Sequence, residues 1–184
     1  MEFFAMDYNE ILNKYDYASP DSIIDRIQHC DFDNEMEAGD IINSIVLWKI
    51  NRQVKLDINL ITKIKNLPCD NVEIVYKYKI EICDILLSLL KTNGVKIAMA
   101  STILKMFKPL AFPIIDQRAY RVIYGKDFPR YYGESSFSKY IDLYMQYIND
   151  CLDYQQTKCP NIPFNKIDEL LYQIDIENGN KIRY

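Results

Sequence analysis

The chain has 184 residues, of which 49% are hydrophobic and 26% are charged, a composition typical of globular proteins and unlike that of disordered or collagenous chains. No run approaches the roughly 20 apolar residues that a membrane-spanning helix needs, so we expect a cytoplasmic protein with no membrane partner. This length suits one good hydrophobic core, and we predict a single domain over residues 1–184.

Charge is distributed unevenly along the chain, which has a formal net charge of -4. Residues 1–48 carry eleven acidic and two basic side chains, whereas residues 91–130 carry eight basic and two acidic ones. A basic segment inside an acidic chain predicts a surface that faces a polyanion such as DNA. An ordinary solvated face would give the same pattern.

The residues that most readily bind transition metals are few and scattered. The chain has five cysteines without a Cys-x-x-Cys pair, and its single histidine, His29, is isolated. We therefore expect no metal and no other cofactor. In a reducing compartment the cysteines are expected to be small buried hydrophobic residues.

Apolar residues recur at helical spacing, without a period-2 stretch or a hairpin turn, so the predicted fold class is all-α. Ser19 and Pro20 predict the start of one helix, and Asp40 opens or continues a second that runs to Ile50. A third helix is predicted near Ile58 to Asn66, before Pro68.

A long amphipathic helix is predicted next, capped by Asp70 and running to Leu90, and we expect it to be the central helix. The turn Thr92-Asn93-Gly94 separates it from a helical stretch at Val95 to Phe107. The two helices are expected to form a hairpin.

Two prolines shape the following segment. Lys108-Pro109 and Phe112-Pro113 predict extended backbone, after which Asp116 opens a short helix that Gly125 ends. Two further amphipathic helices are predicted, at Phe137 to Gln155 and at Phe164 to Ile174.

Residues 90–98 read Leu-Lys-Thr-Asn-Gly-Val-Lys-Ile-Ala, and residues 109–116 read Pro-Leu-Ala-Phe-Pro-Ile-Ile-Asp. The first stretch resembles the hairpin Leu-Pro-Gly-Val-Gly-x-Lys-x-Ala of the helix-hairpin-helix DNA glycosylase superfamily, that of endonuclease III and the 8-oxoguanine glycosylases. The second resembles its Pro-x-x-x-Pro-Val-Asp segment, with one more residue between lysine and aspartate. Lys91 and Thr92 replace the family's proline and first glycine, which changes the placement of the hairpin amides.

The resemblance covers residues 90–125 and implies the helix-hairpin-helix glycosylase fold in a reduced form, without an added β-domain or an iron–sulfur cluster. It implies removal of a modified or damaged base from DNA, most naturally from a duplex. Asp116 would be the catalytic carboxylate and Lys96 a lyase nucleophile. DNA would be bound by the turn Thr92, Asn93, Gly94 and Val95, and attracted by Lys91, Lys105, Lys108, Arg118 and Arg121.

Elementary chemistry favours the same assignment. Cleavage of an N-glycosidic bond builds positive charge on the sugar, which a carboxylate at Asp116 would stabilise. An amine attacks only when uncharged, and the positive end of a helix dipole at Lys96 favours that form. A base that leaves the duplex needs an aromatic pocket, for which the candidates are Phe112, Tyr120 and Trp48.

Each of these residues also has a structural interpretation. Asp116 is placed to cap a helix, and Lys96 to be a solvated lysine or a phosphate contact. Arg118 and Arg121 fit either a phosphate or an acidic helix partner equally. Trp48, four residues before Arg52, would also suit the core, with the arginine at the edge of its ring.

Two other functions fit the sequence. One is a non-catalytic DNA-binding or protein-interaction protein on the same helical fold, in which Asp116 serves only as a cap. The other is a helical interaction protein that binds its partner through the acidic N-terminal third.

Overall fold

The structure is a computed structural model that describes residues 7–14, 20–50, 54–133 and 135–181. Within these ranges the ordered elements are helical and none is a strand, which confirms the all-α prediction. The predicted cap Ser19 and the arginine Arg52 lie outside the described residues.

The helices are α1 (Tyr8–Asn13), α2 (Asp21–His29), α3 (Glu35–Ile50), α4 (Ile58–Asn66), α5 (Lys79–Lys91), α6 (Ile97–Phe107), α7 (Gln117–Tyr124), α8 (Ser136–Lys158) and α9 (Ile167–Glu177), with short 3-10 helices at Val72–Tyr78 and Phe164–Lys166.

Helix α6 is the central helix. Every residue from Met99 to Phe107 is buried, and the helix packs against α2, α3, α4, α5 and α8. Helix α5, which the sequence predicted to be central, keeps an exposed face on which Ile80 is 77% exposed. A helix that is apolar on all sides belongs inside the protein, whereas an amphipathic one belongs at its boundary.

The segment before α5 also differs from its prediction. The cap is Asn71 rather than Asp70, and the Asn71 side chain accepts a hydrogen bond from the amide of Ile74 at 3.2 Å. The first two turns form the 3-10 helix Val72–Tyr78, and the α-helix begins only at Lys79. This run is rich in β-branched and aromatic residues, which have low helix propensity.

Helix α7 begins and ends as predicted. The Asp116 carboxylate accepts a hydrogen bond from the amide of Ala119 at 2.8 Å, and Gly125 ends the helix with φ of 66°. That left-handed conformation is favourable for glycine. Helix α7 packs along α9, which also contacts α1.

The core is one contiguous cluster of buried side chains that includes residues of each helix from α1 to α9. Cys69, Cys151 and Cys159 are buried in it, as expected for small hydrophobic residues, whereas Cys30 and Cys83 are only partly buried. Across the described ranges, helix lengths and hydropathies fall short of what crossing a membrane requires.

Candidate functional site

The extended segment before α7, residues 112–116, is fixed by hydrogen bonds from three helices. Two come from buried tyrosines of α8. The hydroxyl of Tyr144 donates to the carbonyl of Pro113 at 2.9 Å, and the hydroxyl of Tyr147 donates to the carbonyl of Ile114 at 3.1 Å. Both tyrosines are fully buried, so these carbonyls find in protein the partners that water cannot supply.

The amides of the same segment are bound by side chains of α6 and α9. The amide of Ile114 donates to the Asp168 carboxylate at 3.1 Å, and the amide of Ile115 donates to the Ser101 hydroxyl at 3.1 Å. The Ser101 hydroxyl in turn donates to the carbonyl of Ala98 at 2.8 Å. Four consecutive polar groups of the backbone before Asp116 are therefore hydrogen-bonded to side chains. They are the carbonyl of Pro113, the amide and carbonyl of Ile114, and the amide of Ile115.

Lys105 is buried and binds Asp168, the residue that holds the amide of Ile114. Its ammonium lies 2.7 Å from the Asp168 carboxylate and donates at 2.7 Å to the carbonyl of Asn165, and only 4% of its side chain is exposed. The prediction that Lys105 attracts DNA is therefore corrected. A lysine on the buried helix α6 needs an internal anion, because an unpaired charge is strongly disfavoured there.

The carboxylate of Asp116 is held at the first turn of α7 and is only partly accessible to solvent. Burial raises the pKa of this carboxyl above its ordinary value, and the nearby Asp168 acts in the same direction. The charge of Lys49 and the amides of Ala119 and Arg118 lower it in part. Asp116 thus serves as a helix cap and is also desolvated at a cavity wall.

Asp116 lines two cavities. The first is a recess of about 30 Å³ that is bordered by side chains of α3 and α9. The second is a cavity of about 450 Å³ that is bordered by α7 and by the loop that follows it. Besides Asp116, the recess is lined by Trp48, Lys49, Ile114, Asp168, Glu169 and Tyr172, and the larger cavity by Ala98, Ile115, Gln117, Asp127, Phe128 and Arg130.

Lys96 directly precedes α6 and is exposed. It borders a third and larger cavity, of about 890 Å³. This cavity shares Ala98, Phe128 and Arg130 with the cavity beside Asp116. Lys96 and Asp116 therefore lie on neighbouring cavities with a common wall.

The turn that was predicted to bind phosphate uses part of its hydrogen-bonding capacity internally. The amide of Thr92 donates to the carbonyl of Leu89 at 3.0 Å, and the amide of Val95 donates to the carbonyl of Thr92 at 3.1 Å. Val95 is also buried, so its assignment to DNA is corrected. Asn93 and Gly94 are exposed, and Gly94 has φ of 83°, as a tight left-handed turn requires.

Arg118 and Arg121 bind an acidic partner on a helix, which was one of their two predicted roles. Asp175 of α9, whose side chain is fully buried, lies 3.0 Å from Arg118 and 2.7 Å from Arg121. Arg121 is bidentate, since its Nε also donates to Asp175 at 2.8 Å. Both guanidinium groups are thereby committed to the α7–α9 contact, and their assignment to DNA is corrected.

The two remaining residues that were predicted to attract DNA are Lys108 and Lys91. Lys108 is largely buried and pairs with Asp70 at 3.0 Å, so its assignment to DNA is corrected as well. Lys91, the last residue of α5, is exposed. The basic segment of the sequence is thus partly neutralised by carboxylates from elsewhere in the chain.

The three residues predicted to line a base pocket lie in different environments in the structure. Phe112 is fully buried and Tyr120 is 2% exposed, so neither lines an open cavity and both assignments are corrected. Tyr120 instead supports the cavity wall, with its ring 5.0 Å from that of Phe128. Trp48 borders the recess beside Asp116, and the ammonium of Lys49 lies 6.0 Å from its ring centroid.

Several residues at the site were not identified from the sequence. Asp168, Glu169 and Tyr172 of α9 border the recess, and Phe128 and Arg130 border the larger cavity. They reach Asp116 through tertiary packing and lie 12 or more positions away in the chain, so no local spacing pattern links them to it. No group of metal-binding side chains is found among the described residues. Comparisons of the chain with protein-family models, with curated proteins and with solved structures gave no match.

Asp116 both caps α7 and carries a buried carboxyl, and these two properties predict how its replacement changes stability. Because its pKa is raised in the folded state, the ionised carboxylate disfavours folding at neutral pH, so Asp116→Asn should leave the free energy of unfolding equal or higher. Asparagine also caps helices well, whereas Asp116→Ala should lose about 1 kcal/mol. Urea unfolding followed by circular dichroism measures both.

The matched control is Asp57, which caps α4 by accepting from the amide of Asn59 at 2.8 Å and is exposed. Asp57→Ala should lose about as much as Asp116→Ala, and Asp57→Asn should change little. A loss for Asp116→Asn as large as that for Asp116→Ala would contradict the burial argument.

Proposed function

We propose that this protein removes a modified or damaged base from DNA, with Asp116 as the catalytic carboxylate. The observation that carries the proposal is the placement of Asp116. Its carboxylate is desolvated, the residue lines two cavities, and it follows a segment fixed at four backbone polar groups. A charge held rigidly in this way needs little reorganisation to stabilise a developing positive charge.

The reaction that fits this arrangement is hydrolysis of an N-glycosidic bond. As the base departs, positive charge grows on the sugar, and the Asp116 carboxylate would stabilise it. A recess of about 30 Å³ has room for at least one water molecule. The neighbouring cavity of about 450 Å³ falls in the range of small-molecule sites and would receive the displaced base.

Lys96 has a second role in the proposal. It stands exposed before α6, on the cavity that shares Phe128 and Arg130 with the Asp116 cavity. After base loss its uncharged amine would condense with the sugar aldehyde at C1′, releasing water and forming a Schiff base, and β-elimination of the 3′ phosphate would then cleave the strand. Lys91 and the exposed turn residues Asn93 and Gly94 would contact phosphates beside it.

The test is incubation at low salt with oligonucleotides carrying uracil, hypoxanthine, 8-oxoguanine or an abasic site, followed by borohydride trapping. Wild type should release a base from at least one of the modified oligonucleotides. Asp116→Asn should slow release by about 10²-fold or more, the scale of losing a preorganised electrostatic contact. Lys96→Ala should lose the trapped adduct.

Matched controls make the result specific. Asp57→Asn changes a helix cap of the same type on α4 and should leave base release unchanged. Lys158→Ala removes an exposed lysine at the end of α8 and should leave the adduct unchanged. DNA binding without release or adduct, and with the same affinity in Asp116→Asn, would replace this proposal with the non-catalytic DNA-binding alternative.

A further inference from the structure

The largest of the three cavities described above is unusually aromatic. It runs between the start of α6 and the loop that joins α7 to α8, and it has a volume of about 890 Å³. Five of its fourteen lining residues are aromatic, compared with 13% of the whole chain. We call it the aromatic groove. Its aromatic residues are Phe128, Tyr131, Tyr132, Phe137 and Tyr140.

The wall of the aromatic groove is preassembled around Tyr140 of α8. The ring of Tyr140 is stacked with Phe128, with centroids 6.3 Å apart and planes 12° apart, and meets the ring of Tyr131 edge to face at 4.8 Å. The Tyr140 hydroxyl also accepts from the amide of Tyr131 at 2.9 Å. Tyr140 thus holds the rings of Phe128 and Tyr131 in a fixed arrangement.

Tyr132 is the exposed member of the set. It is 81% exposed, the highest value among the large hydrophobic side chains of the described residues. It adds little to the core, since its neighbours Tyr131 and Tyr140 form the packed wall. A tyrosine held open at the edge of a cavity has a ring face available to a planar ligand.

The charge of the groove is positive in an acidic protein. Lys96 and Arg130 line it and are exposed, and no carboxylate lines it among the residues that the structure describes. Farther along the wall, the ammonium of Lys139 lies 5.7 Å from the ring centroid of Tyr131. The groove therefore suits a ligand that combines planar rings with negative charge.

We propose that the aromatic groove binds a single-stranded stretch of nucleic acid, with bases stacked on Tyr132 and the adjoining rings and phosphates at Arg130. Unpaired nucleotides offer free ring faces and a phosphate at every step, whereas a duplex hides those faces in its own stack. The inference goes beyond base excision, since it concerns strand binding and needs no chemistry at Asp116.

The test is fluorescence anisotropy with a labelled 12-nucleotide oligothymidylate and with a 12-base-pair duplex, at several salt concentrations. Wild type should bind the single strand at least fivefold more tightly than the duplex. Tyr132→Ala should weaken single-strand binding about fivefold or more, whereas Tyr132→Phe should retain it because the ring remains. Arg130→Gln should weaken binding and reduce the slope against the logarithm of salt by about 0.7.

The matched control is Ile80→Ala on α5, a side chain that is 77% exposed and does not line the groove. It should bind the oligonucleotide like wild type. The inference is overturned if Tyr132→Ala binds like Ile80→Ala, if the duplex binds as tightly as the single strand, or if no oligonucleotide binds at low salt. Tyr132-dependent binding without base release would overturn the proposed function alone, and base release without Tyr132-dependent binding would overturn this inference alone.

Discussion

Asp168→Asn is expected to lower the free energy of unfolding by about 3–5 kcal/mol. The change leaves the Lys105 ammonium, 4% exposed, without its anion inside the core, and removing one partner of a buried ion pair is destabilising on that scale. It also weakens the acceptor for the amide of Ile114. Urea unfolding followed by circular dichroism measures the loss.

A double-mutant cycle separates the ion pair from other effects. Lys105→Met combined with Asp168→Asn removes both charges, so the double variant should lose less than the sum of the two single changes. The surface lysine Lys14, 3.4 Å from Glu177, provides the control, and Lys14→Met should change stability by less than about 1 kcal/mol. Strict additivity of the two core changes would show that Lys105 and Asp168 do not stabilise each other.

Asp175→Asn is expected to be comparably destabilising and to change the response to acid. The buried carboxylate binds both Arg118 and Arg121, and its replacement leaves Arg118 without its carboxylate and Arg121 with only the exposed Asp127, at a cost of about 3 kcal/mol or more at neutral pH. Burial alone would raise the pKa of Asp175. Hydrogen bonds from Arg121 and Asn180 and the charges of both arginines nevertheless hold it below its ordinary value.

The sign of the pH dependence follows from that lowered pKa. The contribution of the Asp175 carboxylate is complete above the pKa of an unfolded aspartate, about 3.9, and is lost as the pH falls through the lower folded value. The difference in stability between wild type and Asp175→Asn should therefore shrink below about pH 4, measured by urea unfolding at pH 7, 4 and 3. The control variant is Asp127→Asn. It removes a carboxylate that also lies near Arg121, at 3.5 Å, but that is 74% exposed. A difference that stays constant down to pH 3 would contradict the role assigned to Asp175.

Local signals in the sequence predicted local structure well. The bounds of α7 follow from an aspartate that accepts from a first-turn amide and a glycine that tolerates positive φ, and both residues act within one turn of the helix end. Helix α4 was predicted at Ile58 to Asn66 and is found there. Helical periodicity also predicted the fold class.

The electrostatic roles were harder to predict because they depend on distant partners. Lys105 and Asp168 are 63 positions apart, and Arg121 and Asp175 are 54 apart. The excess of basic residues in 91–130 suggested a surface for DNA, yet several of those charges balance acids of the C-terminal third inside the fold. Net charge along a sequence does not distinguish an exposed patch from one half of an internal network.

The hydrogen bonds that fix residues 112–116 also determine when in folding Asp116 is positioned. Tyr144, Tyr147 and Asp168 reach residues 113–114 across 31 to 54 positions of the chain, so the carboxylate of Asp116 acquires its final position only after α8 and α9 have docked. Contacts between residues so far apart in the chain carry a loop-closure entropy cost, which slows folding. The position of Asp116 is therefore a property of the completed fold, because the backbone before it is fixed by side chains of α6, α8 and α9.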